Sequence, residues 1–168
     1  LTKVKIAGEV IDFNVADYLD KKAARKMDRF TQFGVIAARE AFKDSGLEID
    51  KINADRFGVA VSSGIGGIGT IEKDHSKALQ KGYDRVSPFF VPMAITNLAA
   101  GNIAIDLGAK GMCTCPVTAC AGGTNAIGDA FRNIRDGYQD IMVAGGAEAS
   151  ITPLGVGGFT SMKALCDN

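Results

Sequence analysis

The segment Met112-Cys-Thr-Cys-Pro-Val-Thr-Ala-Cys-Ala-Gly-Gly-Thr-Asn-Ala-Ile-Gly128 decides the fold. Met112 to Thr118 is a short, mostly apolar stretch that reads as a buried strand. After a sharp turn at Cys120, Ala121 to Ile134 reads as a helix that stops near Gly137. The same alternation extends in both directions. Phe57-Gly-Val-Ala-Val-Ser62 and Asp140-Ile-Met-Val-Ala-Gly145 are short apolar runs that also suit buried strands. Upstream, Met27, Phe30, Phe33, Gly34, Ala37, Ala38, Ala41 and Phe42 recur at steps of three and four, one apolar face of a helix that stops at Gly46. Thr31 is the expected cap of its main part. Further helices are expected from about Gly67 to Lys81, over Ala94 to Leu107, and from Thr152-Pro153, where proline suits a first helical position. Val4 to Val10 reads as a short opening strand. Ser87 to Pro92 reads as extended or turning, because proline disfavours helix in the residue before it. Strands and helices in alternation predict an α/β fold with a mainly parallel sheet flanked by helices.

Composition narrows the function classes. The 168 residues suffice for one domain with a hydrophobic core, and 46% of them are apolar. Lys plus Arg and Asp plus Glu both number 19. With no net charge and no basic tract, neither nucleic acid nor a membrane is an expected partner. No apolar run is long enough to span a bilayer, and no basic-then-apolar start marks a secretory signal, so a cytoplasmic location is the expectation. Three of the four cysteines, Cys113, Cys115 and Cys120, crowd into eight residues, unlike a disulfide framework. Their spacing matches no common zinc pattern, and the one histidine, His75, is distant, so no metal is expected. Cys113 and Cys115 fall on one face of their strand and read as buried thiols.

Cys120 is the candidate nucleophile. It sits between a strand and a helix that opens Ala-Gly-Gly. The partial positive charge of a helix N-terminus stabilises a thiolate, the form that attacks a thioester or carbonyl. The small neighbours leave room for substrate, and backbone N–H groups nearby are candidate oxyanion donors. The plainer reading is a small buried residue.

The segment Val117-Thr-Ala-Cys-Ala-Gly-Gly-Thr-Asn-Ala-Ile-Gly128 resembles the active-site segment of the β-ketoacyl-[acyl-carrier-protein] synthases. Ser62-Ser-Gly-Ile-Gly-Gly-Ile-Gly69, Ser87-Pro-Phe-Phe-Val-Pro92, Val143-Ala-Gly-Gly-Ala-Glu148 and Thr152-Pro-Leu-Gly-Val-Gly-Gly-Phe159 resemble the same family, in the family's order and spacing. The resemblance is to the type II 3-oxoacyl synthases of bacterial fatty acid synthesis, and it runs from about Ile6 to the end. It implies the thiolase-like layered α-β-α-β-α architecture, of which residues 1–168 would be an amino-terminal part, without the family's first strand and helix and without its second half. It implies that Cys120 accepts an acyl group from acyl carrier protein and condenses it with the malonyl-loaded carrier. No cofactor is implied. Ile65, Phe90 and Ala119 match positions lining the acyl pocket, though each also reads as ordinary core. A homodimer is implied, with the helix 94–107 and the strand 112–118 near its interface. The two histidines and the lysine that the family also needs have no counterpart in these residues, so the chain alone is expected to be inactive.

Other readings stand beside this one. Gly64-Ile-Gly-Gly-Ile-Gly69 reads G-x-G-x-x-G between a strand and a helix, the pattern of a dinucleotide-binding module. The acidic residue at the right distance, Asp84, is in no strand. A non-catalytic, truncated dimer partner is a third possibility. His75 lies among charged residues and reads as part of a solvated helix face. Glu148 follows a strand–Gly–Gly turn and reads as a candidate acid or base; the resemblance implies instead that it is structural and holds the turn near the active site.

Overall fold

The computed structural model describes residues 3–166. Three parallel strands form one sheet in the order β2-β1-β3, with β1 Phe57–Ser62 in the centre, β2 Cys113–Thr114 on one edge and β3 Ile141–Gly146 on the other. The register pairs Val59 with Cys113 and Val143. The helices are α1 Lys21–Ala24, α2 Arg29–Asp44, α3 Ile68–Lys81, α4 Phe90–Ala94, α5 Leu98–Leu107, α6 Gly122–Arg135 and α7 Pro153–Ser161.

The central strand is buried along its whole length. Side chains alternate across a sheet, so its two faces meet different helices. Val59 and Val61 join Phe30, Val35 and Ala38 of α2 and Ala99, Ala100 and Ile103 of α5 in one core. Phe57 stacks on Phe42 of α2, with ring centroids 5.8 Å apart. Full burial of such a side chain is worth about 1.5–3 kcal/mol. Ser62, on the other face, meets Gly122 at the start of α6, and Ala126 and Ala130 of α6 are buried. The result is a sheet with α2 and α5 on one face and α6 on the other.

Several sequence expectations are corrected. Val4 to Val10 forms no strand. Asp28, not Thr31, caps α2, its carboxylate accepting the Phe30 N–H at 3.3 Å. Thr31 is one turn inside, buried at 1% exposure. Residues 90–94 are helical although Pro92 lies among them. In a first turn the N–H that proline lacks has no partner to lose. The helix expected from Ala94 begins at Leu98. The strand expected over 112–118 has two residues, because Pro116 cannot donate to a ladder. Both edge strands are less covered than expected. β3 is half-buried, and Cys113 is exposed with Cys115 intermediate.

Candidate active site

The carboxyl ends of the three parallel strands bring together Ser62 to Ile65, Pro116 to Ala121 and Gly146 to Glu148. Crevices at this edge are where open α/β sheets bind ligands. Cys120 occupies a 3-10 turn, Ala119–Ala121, that leads directly into α6. It is exposed. Ala119, just before it, has φ +48°. Left-handed backbone at a residue with a Cβ costs about 1–2 kcal/mol and is kept only where surroundings impose it. The Ala121 N–H donates to the Thr118 carbonyl at 3.1 Å, and the Gly122 N–H donates to that of Ala119. These two amides are engaged within the turn, so they are not the open oxyanion donors that the sequence suggested.

Close backbone approach explains the small residues at the helix start. A methyl group on Gly122 would overlap the Ser62 hydroxyl, and one on Gly146 would lie 3.1 Å from the Gly123 Cα. Ser62 Oγ itself donates to the Pro116 carbonyl at 2.6 Å.

The loop Gly64–Gly67 packs against the same turn. A Cβ on Gly64 would lie 3.7 Å from Ala119 Cα. Glu148 holds this loop from the other side. Its Oε2 accepts the N–H groups of Gly64 at 2.9 Å and Ile65 at 3.0 Å, while Ser63 Oγ accepts the Gly66 N–H at 3.0 Å. Successive N–H groups converging like this, with Gly66 at φ +75°, form an anion-binding nest, and the anion seated in it is the Glu148 carboxylate. The start of α3 is likewise taken. Asp28 Oδ2 accepts from Thr70 N and Thr70 Oγ1 at 2.9 and 2.6 Å. Both places where a dinucleotide's phosphates would sit hold the protein's own carboxylates. The loop glycines serve packing instead, since a Cβ on Gly66 would lie 2.7 Å from the Ala94 carbonyl oxygen. Asp84 lies in a 3-10 turn, Tyr83–Arg85. The geometry therefore does not fit the dinucleotide reading.

Of the residues singled out from sequence, Ala119 is part of the Cys120 turn, and Ile65 follows Gly64, which packs against that turn. Phe90 opens α4, half-buried, and joins the site indirectly, because Gly67 N–H donates to the Ala94 carbonyl at 3.0 Å. His75 is on the exposed side of α3. Lost hydration, and secondarily Cys115, hold the Cys113 thiol above its ordinary value. A cleft of about 1460 Å³ lies between residues 4–10, the starts of α2 and α3 and residues 148–159, and Cys120 does not line it. Among the described residues no cluster of three or more His, Cys, Asp or Glu is placed to hold a metal ion. Sequence reasoning missed Ser62 and Asp28. An Asp one residue before the helical Arg29 was a legible cap signal; nothing local marks Ser62.

Comparison with known proteins agrees with this geometry. The family described as "Beta-ketoacyl synthase, N-terminal domain" matches residues 3–168. The chain is 53% identical over 165 residues to the 3-oxoacyl-[acyl-carrier-protein] synthase 2 of Staphylococcus aureus, covering 98% of this chain and 41% of that protein. The chain thus spans about two fifths of that relative's length. A β-ketoacyl synthase from Burkholderia phymatum STM815 superposes with a TM-score of 0.84 at 29% identity, covering 100% of this chain and 41% of that one. A ketosynthase solved in complex with its type II polyketide acyl carrier protein superposes with a TM-score of 0.82 at 28% identity, covering 90% and 44%. The thiolase-like α/β layering expected from sequence is therefore the observed one, and the chain belongs to the β-ketoacyl synthase family, of which it matches the N-terminal domain.

Proposed function

We propose that this chain carries the nucleophile half of a 3-oxoacyl-[acyl-carrier-protein] synthase and that Cys120 is that nucleophile. The observation that carries the reading is the exposed Cys120 in a strained turn, directly before α6, at the carboxyl edge of a parallel sheet. The Cys120 thiolate attacks the thioester carbonyl of an acyl carrier protein, and the carrier's thiol leaves. The malonyl-loaded carrier then loses CO2, and its carbanion attacks the acyl-enzyme carbonyl. The Cys120 thiolate leaves, and a 3-oxoacyl chain two carbons longer stays on the carrier. Ile65, Phe90 and Ala119 line the acyl path.

The partners follow from exposed surfaces. Lys21, Lys22, Arg25 and Lys26 gather at α1, and the Lys26 ammonium lies 5.3 Å from the Phe89 ring centre. This cationic face suits an acidic carrier domain. On α6, Ile127 and Phe131 are 57% and 63% exposed, an apolar stripe suited to further protein of a two-halved synthase that includes residues 1–168. Ile105 on α5 is 82% exposed and the edge strand β2 is uncovered, which supports a homodimer interface there. Among the described residues no helix is long and apolar enough to cross a membrane. A cytoplasmic enzyme is the setting that the fatty acid synthesis reading implies. His75, exposed on α3, is a poor candidate for the decarboxylation step.

The test is to incubate the protein, as its source organism expresses it, with acyl carrier protein loaded with an acyl chain. Mass spectrometry should find the acyl group on the peptide containing Cys120, and Cys120→Ala should abolish it with the melting temperature unchanged. Acyl-enzyme still forming in Cys120→Ala would sink the assignment.

A further inference from the structure

We infer that Ser62 is the positioning residue of Cys120, a buried hydroxyl that pins both ends of the turn on which the thiol is carried. The inference rests on the reading of Cys120 as nucleophile. The turn runs Pro116-Val-Thr-Ala-Cys-Ala-Gly122. Its two ends meet at one atom. Ser62 Oγ donates to the Pro116 carbonyl at 2.6 Å. The same oxygen occupies the space that a Cβ on Gly122 would need, and that Cβ would also lie 3.6 Å from the Pro116 carbonyl oxygen. Ser62 is itself fixed. It is 2% exposed, ends the buried central strand, and its own carbonyl accepts the Ala147 N–H at 2.9 Å.

A chain whose ends are held this closely must reverse sharply between them. Ala119 takes up the reversal at φ +48°, and Cys120 is presented outward at the start of α6. Removing the hydroxyl leaves the Pro116 carbonyl without that donor and opens a gap beside Gly122. The turn relaxes, Ala119 leaves the left-handed region, and Cys120 loses its place above the helix N-terminus. Ser62 touches no reacting atom; it acts through the turn.

The test uses the protein as its source organism expresses it, in four forms: unchanged, Ser62→Ala, Gly122→Ala and both together. The first readout is the rate of alkylation of Cys120 by iodoacetamide, resolved by peptide mass spectrometry, with Cys113 as internal reference. Ser62→Ala should slow Cys120 about tenfold, because the turn no longer presents its thiol outward, and leave Cys113 unchanged. General loosening would alter both thiols together and would overturn the inference, as would an unchanged Cys120 rate. The second readout is acyl transfer from an acyl carrier protein. kcat should fall about a hundredfold, the cost of a misplaced reacting group, with KM unchanged; a rise in KM alone would overturn the inference. Gly122→Ala attacks the same contact from the other side, so its effect and that of Ser62→Ala should be non-additive. Strict additivity would count against the pin. Should Ser62→Ala not fold, Gly122→Ala alone decides, by whether Cys120 slows selectively. An unchanged protein that alkylates at Cys120 but accepts no acyl group would end the proposed function, while the alkylation rates would still judge Ser62.

Discussion

Asp28 and Thr70 lie 42 residues apart and are joined by two hydrogen bonds, from the Thr70 N–H at 2.9 Å and its hydroxyl at 2.6 Å to one carboxylate oxygen. The other oxygen of Asp28 accepts the Phe30 N–H at 3.3 Å. One buried carboxylate thus caps α2 and the first turn of α3 together. Asp28→Ala should lower the unfolding free energy by about 2–4 kcal/mol, from two lost caps and the donors left unpaired at Thr70. Asp28→Asn keeps an acceptor and should cost about half as much. Urea unfolding measures both. Equal midpoints for the unchanged protein and Asp28→Ala would mean that the caps are supplied from elsewhere.

Two glycines separate backbone strain from crowding. Gly46, at φ +70°, follows α2 and has open space where a Cβ would go. Gly66, at φ +75°, would place a Cβ 2.7 Å from the Ala94 carbonyl oxygen, and that oxygen also accepts the Gly67 N–H. Gly46→Ala should cost about 1 kcal/mol, the left-handed penalty alone. Gly66→Ala adds overpacking against fixed backbone, about 1–3 kcal/mol more. Similar unfolding midpoints for the two variants would refute the crowding argument.

The strand–turn–helix order around Cys120 was legible because it is local. Apolar runs such as Phe57–Ser62 and the helix-stopping Gly46 carry their structure in their own residues. The helix at Phe90–Ala94 was not legible, since proline's usual meaning reverses in a first turn. Ser62, Glu148 and Asp28 act on partners 54, 84 and 42 residues away. No periodicity records such a pairing, and only the resemblance pointed to the structural role of Glu148. The glycine fingerprint misled for the same reason. Its pattern shows a loop that needs tight backbone, but not that carboxylates from elsewhere in the chain fill its anion seats.

Arg56 and Asp140 tie the starts of neighbouring strands and give stability an acid-sensitive part. Arg56 Nε and Nη2 donate to the two Asp140 oxygens at 2.7 and 2.6 Å, and Nη2 also reaches the Gly137 carbonyl at 3.0 Å. The next residues, Phe57 and Ile141, are paired in the sheet. The hydrogen bonds from Arg56, with its charge adding to them, hold the Asp140 carboxyl below the usual carboxylate range. A carboxyl depressed in the folded state stabilises that state fully above its unfolded value, about 3.9. That contribution fades as the pH falls through the lower folded value. Asp136, lowered by Arg135, adds a similar acid-dependent part, so the difference between the unchanged protein and Asp140→Asn isolates this pair. Urea midpoints measured from pH 7 down to pH 2 should fall less steeply below pH 4 in Asp140→Asn. Because the pair is solvent-exposed, the gap between the two proteins at pH 7 should be small and shrink in high salt. Parallel curves over the whole range would show that the pair carries none of the acid dependence.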